Sequence, residues 1–572
     1  MSGLDALGIP GGDFLREALT NCSDPLAAIE EFQHENGILL PSLKPALPFL
    51  DLHGVKRLDF HQSVMEELRE KLLQRITDLA SKDDPNKLEK LEGLLEKSFP
   101  VIKVKALRPV VMCILKHLPK IKDEYLQQIL ENRELYTEAS TEVKRQIWQD
   151  NQALFGDEVS PLLTLYIKEK ETILYSHEES QLTFFLPSPK MRRQGEVVQK
   201  LVHMIGRNVK LYDMVLQFLR TLFLRTRNTH YCTLRAELLM ALHDLEIHDI
   251  CSVDPCHKFT WCVDACIRER FVDSKRSREL QGFLDGIKRG QEQVLGDLSM
   301  ILCDPFAINT VCVSLMRCLQ QCINTETMPR ENVDIVLLLR MLLLGLQAWD
   351  MIDSQVFKEP KLESLLITKY LPLISSMMVD DQYRSLILRT QEEKPTIFTP
   401  IQPSELFATF IKISGISSLV AMYYALQVTR QRDRIAAVQI IPALLHCEND
   451  RAYEDTFLHS LVSYLISMAE DFTQEDLCIA VFDDFILPSI SRESVRRHLL
   501  RLLWHVYTKV PNLRIRVIMD AIEPGTEHSE AVHQTYKALA EKVAAFQPSV
   551  QDQPEKLDSP LMNVPAPTPG PI

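Results

Sequence analysis

One short segment gathers six residues whose side chains suit a metal ion. It contains two histidines and four cysteines: His248, Cys251, Cys256, His257, Cys262 and Cys266. Thiolates and imidazoles are the ligands that Zn²⁺ prefers. Their spacing is Cys-x4-Cys followed by Cys-x3-Cys, whereas zinc knuckles use Cys-x2-Cys pairs. Two cysteines four positions apart share one face of a helix, so buried reduced thiols are predicted instead. The prediction is no metal and no cofactor, with the redox state of these thiols left open.

Basic residues cluster at two places and could contact phosphates. One cluster precedes a helix and the other closes a very apolar helix; the candidates are Lys190, Arg192, Arg193, Arg220, Arg225 and Arg227. Cations at a helix C-terminus also interact favourably with the helix dipole, which gives the second cluster a structural explanation. No motif for reading bases accompanies them, so any RNA contact is expected to be weak and independent of sequence.

Catalytic signatures are absent from the sequence. It has no phosphate loop, no HExxH zinc helix, no GxSxG nucleophile elbow and no dinucleotide-binding fingerprint. Gly282, Gly286 and Gly290 recur every fourth residue, but on a polar helical segment where close packing or a helix end explains them. We therefore predict that the protein is not an enzyme and has no catalytic residues.

Composition points to helices. The chain has 572 residues and only 18 glycines, well below the roughly 7% of average proteins, and sheets need glycine at turns and bulges. The net charge of −14 argues against a surface that coats nucleic acid or an anionic membrane. The most apolar run, Ile335 to Leu346, contains Arg340 and is too short to cross a bilayer, so no membrane association is predicted.

Apolar residues recur with the period of an amphipathic helix. Between residues 63 and 80, Met65, Leu72 and Ile76 share one face, while charged residues occupy the other. Prolines such as Pro161 and Pro305 are expected to mark helix ends. The fold class predicted is all-α: an irregular HEAT-like α-solenoid of antiparallel helix pairs, with a disordered Pro-rich C-terminal tail. A compact irregular helical domain remains the alternative.

Proline-rich breaks predict the division of the chain. The predicted parts are an N-terminal helical segment with a Pro-rich linker (1–48), an N-terminal and central HEAT-like solenoid (49–390), a loop (391–403), a C-terminal helical solenoid (404–547) and a disordered tail (548–572).

Long stretches of the sequence resemble one family. The matching strings are Leu47–Gly54 (LPFLDLHG), Glu142–Val159 (EVKRQIWQDNQALFGDEV), Lys210–Arg227 (KLYDMVLQFLRTLFLRTR), Val253–Cys262 (VDPCHKFTWC), Arg268–Lys275 (RERFVDSK) and Ala348–Lys358 (AWDMIDSQVFK). In these stretches the chain is similar to the B-subunit family of the negative elongation factor (NELF) complex. Agreement is dense from about Leu47 to Pro360 and looser beyond.

The resemblance implies a nuclear, non-catalytic scaffold. Such a subunit bridges the A–C/D module to the E subunit and, with DSIF, supports promoter-proximal pausing of RNA polymerase II, a negative regulation of transcription elongation. The implied partners are NELF subunits E and C/D, with A bound through C/D, and RNA polymerase II with DSIF. Apolar helix faces at 335–346 and 411–428 are expected to serve as subunit interfaces. The alternative is a solenoid whose basic ridge itself binds RNA.

Overall fold

The described part of the protein is entirely helical. The structure, a computed structural model, describes residues 57–178, 184–185, 192–287, 290–390 and 405–551. These ranges contain α-helices, short 3₁₀ turns and two π-helical stretches, with no β-strand among them. The all-α prediction is therefore confirmed for this part of the chain. The predicted segments 1–48 and 391–403 lie outside the described residues, as does Lys190.

The chain forms two compact units. One comprises Met1–Val159 with His203–Met214, and the other comprises Ser160–Val202 with Val215–Ile572. The described helices of the first unit are α1 (Arg57–Ser81), α2 (Lys87–Ser98), α3 (Arg108–His117), α4 (Asp123–Glu131), α5 (Arg133–Glu138) and α6 (Thr141–Trp148). Three helices contribute residues to both units: α7 (Gln152–Leu174), α8 (Glu196–Ile205) and α9 (Val209–Thr226).

The second unit holds the remaining helices. Its first half contains α10 (His230–Asp244), α11 (His248–Cys251), α12 (His257–Glu269), α13 (Ser274–Asp285), α14 (Gln293–Leu302), α15 (Pro305–Asn324), α16 (Val333–Leu346), α17 (Ala348–Ser354) and α18 (Leu371–Thr390). Its second half contains α19 (Glu405–Ile411), α20 (Gly415–Arg430), α21 (Arg434–Ala443), α22 (Asp455–Ile466), α23 (Glu475–Cys478), α24 (Glu493–Val506), α25 (Asn512–Ala521) and α26 (Glu530–Gln551). Residues 552–572 of the predicted tail lie outside the described residues.

The amphipathic pattern predicted for α1 is confirmed. Met65 and Ile76 are buried and Leu72 is half-buried, whereas Lys71 and Arg75 are exposed. Burying one apolar stripe and leaving a charged face in water is what stabilises a surface helix of a globular protein. The core of the first unit continues through α2, α3 and α4.

The two apolar segments that were expected to form subunit interfaces lie in the core of the second unit. In α16, residues such as Leu338 and Leu342 are buried, and most of α20 is buried around Val420 and Tyr424. The expectation that 335–346 and 411–428 supply free apolar faces for other subunits is therefore wrong. Helices of the same chain already cover them, because apolar periodicity reveals that a face is buried and not what buries it.

Close packing around α16 leaves no room for a side chain at Gly345. A Cβ atom built there would lie 2.6 Å from the carbonyl oxygen of Leu302, on the neighbouring helix α14. The same construction at Gly282 in α13 meets no atom within 4 Å, so close packing does not explain that glycine. Gly286 stands at the C-cap of α13 and Gly290 has a positive φ of 89°, which agree with a helix end.

Prolines only partly mark helix ends. Pro305 opens α15, where the side chain of Asp304 accepts a hydrogen bond from the amide of Phe306 at 3.2 Å. Pro161 and Pro442, in contrast, lie inside α7 and α21. The prediction of a helix end at Pro161 is wrong. Burial of the flanking Leu163 and Tyr166 offsets the one backbone hydrogen bond that an internal proline removes.

The prediction of reduced cysteines is confirmed for the described residues. All twelve cysteines in those ranges are free thiols, and all except Cys113 are buried. Cys262 and Cys266 lie on the inner face of α12, as their spacing predicted. Cys312, Cys318 and Cys322 occupy the inner face of α15 in the same way.

Among the described residues, one helix is long and apolar enough to span a bilayer by length and composition. This helix is α15, and two bent helix pairs would also meet that test if each pair counted as one span. Most of α15 is buried against other helices of the second unit, including α16 and α20.

Residues distant in sequence meet beside α22. The ring of His459 accepts a hydrogen bond from the amide of Phe184 at 3.0 Å, and its Nδ1 lies 2.8 Å from the carbonyl oxygen of Leu174. These two contacts require a neutral imidazole with its proton on Nδ1. Phe184 also packs against Phe306, with ring centroids 5.0 Å apart. The chain that follows α7 is thereby joined to the C-terminal half of the second unit.

Candidate functional site

Arg192 lies inside the second unit, against two carboxylates. Its Nε donates to Oε1 of Glu237 on α10 at 2.7 Å, and Nη2 lies 3.5 Å from Oδ2 of Asp304. The guanidinium also stacks on the ring of Phe306, 3.7 Å from its centroid. The side chain of Arg192 is only 6% exposed, so this contact is part of the core.

Other polar groups complete this buried cluster. Tyr166 donates to Oε2 of Glu237 at 2.7 Å, and Lys170 lies 3.5 Å from Oε1 of the same carboxylate. Burial by itself would raise the pKa of Glu237, but Lys170 and Arg192 hold it below its ordinary value. The pKa of Asp304 is raised by burial, which Arg192 offsets only partly. Burying a charge in the core is costly, and in this cluster the opposite charge beside each group offsets that cost.

Arg193 is engaged by a second pair of carboxylates. Its Nη1 lies 2.8 Å from Oδ1 of Asp244 at the end of α10, and its Nη2 donates to Asp264 on α12. Arg193 is buried as well. The idea that Arg192 and Arg193 contact nucleic-acid phosphates stays a prediction, but both guanidinium groups already have anionic partners within the protein.

The second basic cluster is more accessible. Arg225 and Arg227 are exposed at the C-terminal end of α9, whereas Arg220 pairs with Asp297 of α14. Arg227 has a φ of 55°, and its guanidinium stacks on Trp349, 3.9 Å from the ring centroid. Arg225 therefore presents the more available charge, and the phosphate role of these three residues stays a prediction.

An open cavity of about 210 Å³ adjoins the buried cluster. Ile173, Phe184 and Val198 form much of its apolar wall, and Arg192 and Glu237 lie at its charged side. Since those two charges neutralise each other, the cavity suits an apolar group better than an anion.

Three potential metal ligands converge at the ends of successive helices. His243 comes from the last turn of α10, Cys251 ends α11, and His257 begins α12. Their ligand atoms all lie within 4.8 Å of one another, and His243 Nδ1 is 2.9 Å from His257 Nε2. Burial and the adjacent His243 lower the pKa of His257, which favours its neutral form.

Only part of the segment picked out by sequence takes part in this cluster. Cys251 and His257 do, while His248 is exposed and Cys256 is buried elsewhere in the core. His243 was missed, because it lies outside the dense Cys and His segment. The sequence does offer one indication of His243: it lies in the last turn of the helix that precedes Cys251.

Two exposed apolar stripes lie on helices of the second unit. On α18, Val379, Tyr383 and Leu386 are spaced as one helix face, and Tyr383 is 65% exposed. On α25, Leu513 and Val517 lie one turn apart, and Leu513 is 77% exposed. Neighbouring apolar side chains that remain in water are typical of surfaces that bind other polypeptides.

The described residues define an all-helical protein, with ion pairs inside its core and exposed apolar stripes on two helices. The profile of the family described as "Cofactor of BRCA1 (COBRA1)" matches residues 105–446. A protein of Drosophila melanogaster named "Negative elongation factor B" is 58% identical over 579 residues, covering 100% of this chain and 97% of that relative. The relatives of the same name from Mus musculus and Homo sapiens are each 56% identical, over 575 residues (99% of both chains) and 577 residues (99% of this chain and 100% of the relative). The chain belongs to the negative elongation factor B family.

Proposed function

We propose that this protein is a non-catalytic scaffold subunit of the negative elongation factor complex. In that role it bridges the A–C/D module to the E subunit in the nucleus and, with DSIF, supports promoter-proximal pausing of RNA polymerase II. The observation that carries the proposal is the 56–58% identity to proteins named "Negative elongation factor B" along nearly the whole chain. Their name describes a factor that acts in transcription elongation, and it mentions no enzymatic reaction.

A HEAT-like arrangement of the second unit is part of this proposal. Its support is the order of packing: α20 contacts α22, α22 contacts α24, and α24 contacts α26, while α21 packs on the helix Ile479–Ile486. The first row consists of α20, α22, α24 and α26, and the second contains α21 and the helix Ile479–Ile486. Two such rows of helices are typical of stacked helical hairpins. The proposed array has the division at 391–403 and the end before the Pro-rich tail that the sequence predicts.

The exposed stripe on α18 is a proposed docking surface for a helix of another subunit. Val379, Tyr383 and Leu386 recur at positions i, i+4 and i+7, which is the spacing that an amphipathic partner helix would cover. Burying an apolar side chain that is otherwise in water contributes about 1.5–3 kcal/mol. Loss of two such contacts would weaken an interface strongly without disturbing the core of this chain.

Co-expression with the E and C/D subunits tests the scaffold role. We expect the full chain to co-purify with both subunits as one complex, and to unfold at a higher temperature within it than alone. A chain that folds but binds neither subunit at micromolar concentration would refute the proposal.

Two matched variants test the docking surface. Val379→Ser combined with Tyr383→Ser should reduce the amount of at least one co-purified subunit by tenfold or more. Asp380→Ala changes an exposed polar residue beside the stripe on the same helix and should leave the complex intact. If the double variant assembles as well as Asp380→Ala, α18 is not the docking helix.

A further inference from the structure

The convergence of His243, Cys251 and His257 brings together two imidazoles and one thiol. They belong to three successive helices, so only the turns after α10 and α11 make them neighbours. Cys251 is 8% exposed, and both histidines are half-buried. Such a site excludes most water but leaves a route by which an ion can enter.

The geometry is close to that of a zinc site. With bonds of about 2.0–2.1 Å to nitrogen and 2.3 Å to sulfur, tetrahedral coordination places ligand atoms about 3.3–3.6 Å apart. The three ligand atoms, all within 4.8 Å of one another, reach that spacing by small rotations of the side chains. The softness of a thiolate and two imidazoles favours zinc over magnesium or calcium.

A hydrogen bond between the two imidazoles is the simpler alternative. One ring nitrogen donates its proton and the other accepts it across the 2.9 Å contact between His243 Nδ1 and His257 Nε2. That bond accounts for the two histidines and leaves unexplained why the thiol of Cys251 lies within the same cluster. A metal ion uses all three groups, since it takes the place of the shared proton and binds the thiolate as well.

We propose that His243, Cys251 and His257 bind one Zn²⁺ ion, with water in the fourth coordination position. Asp254, three residues from both Cys251 and His257, is used otherwise, because its Oδ1 accepts a hydrogen bond from the amide of Cys256 at 2.7 Å. The ion ties the end of α10 to the beginning of α12 through the short helix α11. When bound, the ion stabilises the turns that connect these helices.

Metal analysis of the full-length chain tests this site. Protein purified without a histidine tag or chelating resin is expected to carry about one zinc per chain, as measured by plasma mass spectrometry. Cys251→Ser and His257→Ala should each lower the zinc content at least tenfold. His248→Gln and Cys113→Ser serve as matched controls outside the cluster, and both should keep the metal. Wild-type protein without zinc after zinc-supplemented growth would overturn the proposal, as would equal zinc in all variants.

Cobalt substitution tests the site in the wild-type chain, and it therefore still applies if a variant fails to fold. Wild-type protein loaded with Co²⁺ is expected to show the intense visible bands of a four-coordinate site and a thiolate-to-metal absorption in the near ultraviolet. A chelator should remove both signals and lower the melting temperature of the wild-type chain. Six-coordinate cobalt bands without thiolate absorption would contradict the site, whatever the behaviour of the variants.

Discussion

Arg192 and Glu237 lie 45 positions apart in the chain and meet in the interior of the second unit, with Nε and Oε1 at 2.7 Å. Neither residue has an apolar side chain, and yet both are nearly inaccessible to solvent. The pair holds the segment before α8 against α10, and Asp304 at the start of α15 joins the same cluster. Arg192, which the sequence suggested as a surface cation, therefore joins helices within the core.

Removal of the buried guanidinium should destabilise the protein strongly. Arg192→Ala leaves Asp304 without its cationic partner and Glu237 with Lys170 alone, and breaking a buried pair in this way costs about 3–5 kcal/mol. Urea unfolding, monitored by circular dichroism, measures the free energy of unfolding. Arg225→Ala, at an exposed position, should change it by less than about 0.5 kcal/mol. Equal effects of the two substitutions would contradict the role of Arg192 in the core.

Stability should fall as the pH is lowered from 6.5 towards 4, partly because of His230. Burial lowers the pKa of His230 from 6.5 to about 4; Lys170 acts in the same direction, and Asp455 and Glu237 oppose it. Above pH 6.5 the ring is neutral in both the folded and unfolded states. Between these two pH values only the unfolded chain takes up the proton. The free energy of unfolding therefore falls by up to about 3 kcal/mol.

His230→Phe checks this pH dependence. The variant should lose less stability than wild type between pH 7 and pH 4.5, as measured by urea unfolding at each pH. His498, whose pKa is also lowered by burial, retains part of the dependence. His203→Gln, at an exposed position, supplies the control for the loss of an imidazole. An identical profile in His230→Phe would show that His230 does not contribute.

The same substitution at two helical glycines should have opposite effects. Gly345→Ala forces a methyl group to within 2.6 Å of the Leu302 carbonyl oxygen, and such overpacking costs about 1–3 kcal/mol. Gly282→Ala meets open space in the interior of α13, and should stabilise by about 0.5–1 kcal/mol through the reduced flexibility of the unfolded chain. Melting temperatures of the two variants should therefore move in opposite directions, and a shift of the same sign would refute the packing argument.

Any direct binding of RNA should depend on the accessible arginines. Arg225→Ala combined with Arg227→Ala should make log K against log[salt] less steep, by about 0.7 for each lost phosphate contact with a single strand. Arg220→Ala should change the slope less, because its guanidinium is paired with Asp297. Fluorescence anisotropy with labelled single-stranded RNA at several salt concentrations measures the slope. No change in the double variant would exclude this surface as the RNA contact.

The sequence by itself determined the class of fold and the inner faces of individual helices. The helical period of Met65, Leu72 and Ile76 and the four-residue spacing of Cys262 and Cys266 each predicted a buried face. The structure buries Met65, Ile76 and both cysteines, and it half-buries Leu72. Such patterns are local, because neighbours on one helix are set by its 3.6-residue turn. The resemblance of long strings likewise identified the family.

Only the tertiary structure decided which groups meet. Arg192 finds its carboxylate 45 positions away, and His243 lies beside His257 because two turns bring their helix ends together. The apolar run of α16 is covered by helices of its own chain, and the exposed stripe is on α18. Helical period specifies that a face needs cover, but the covering residues are chosen by packing between segments far apart in the chain.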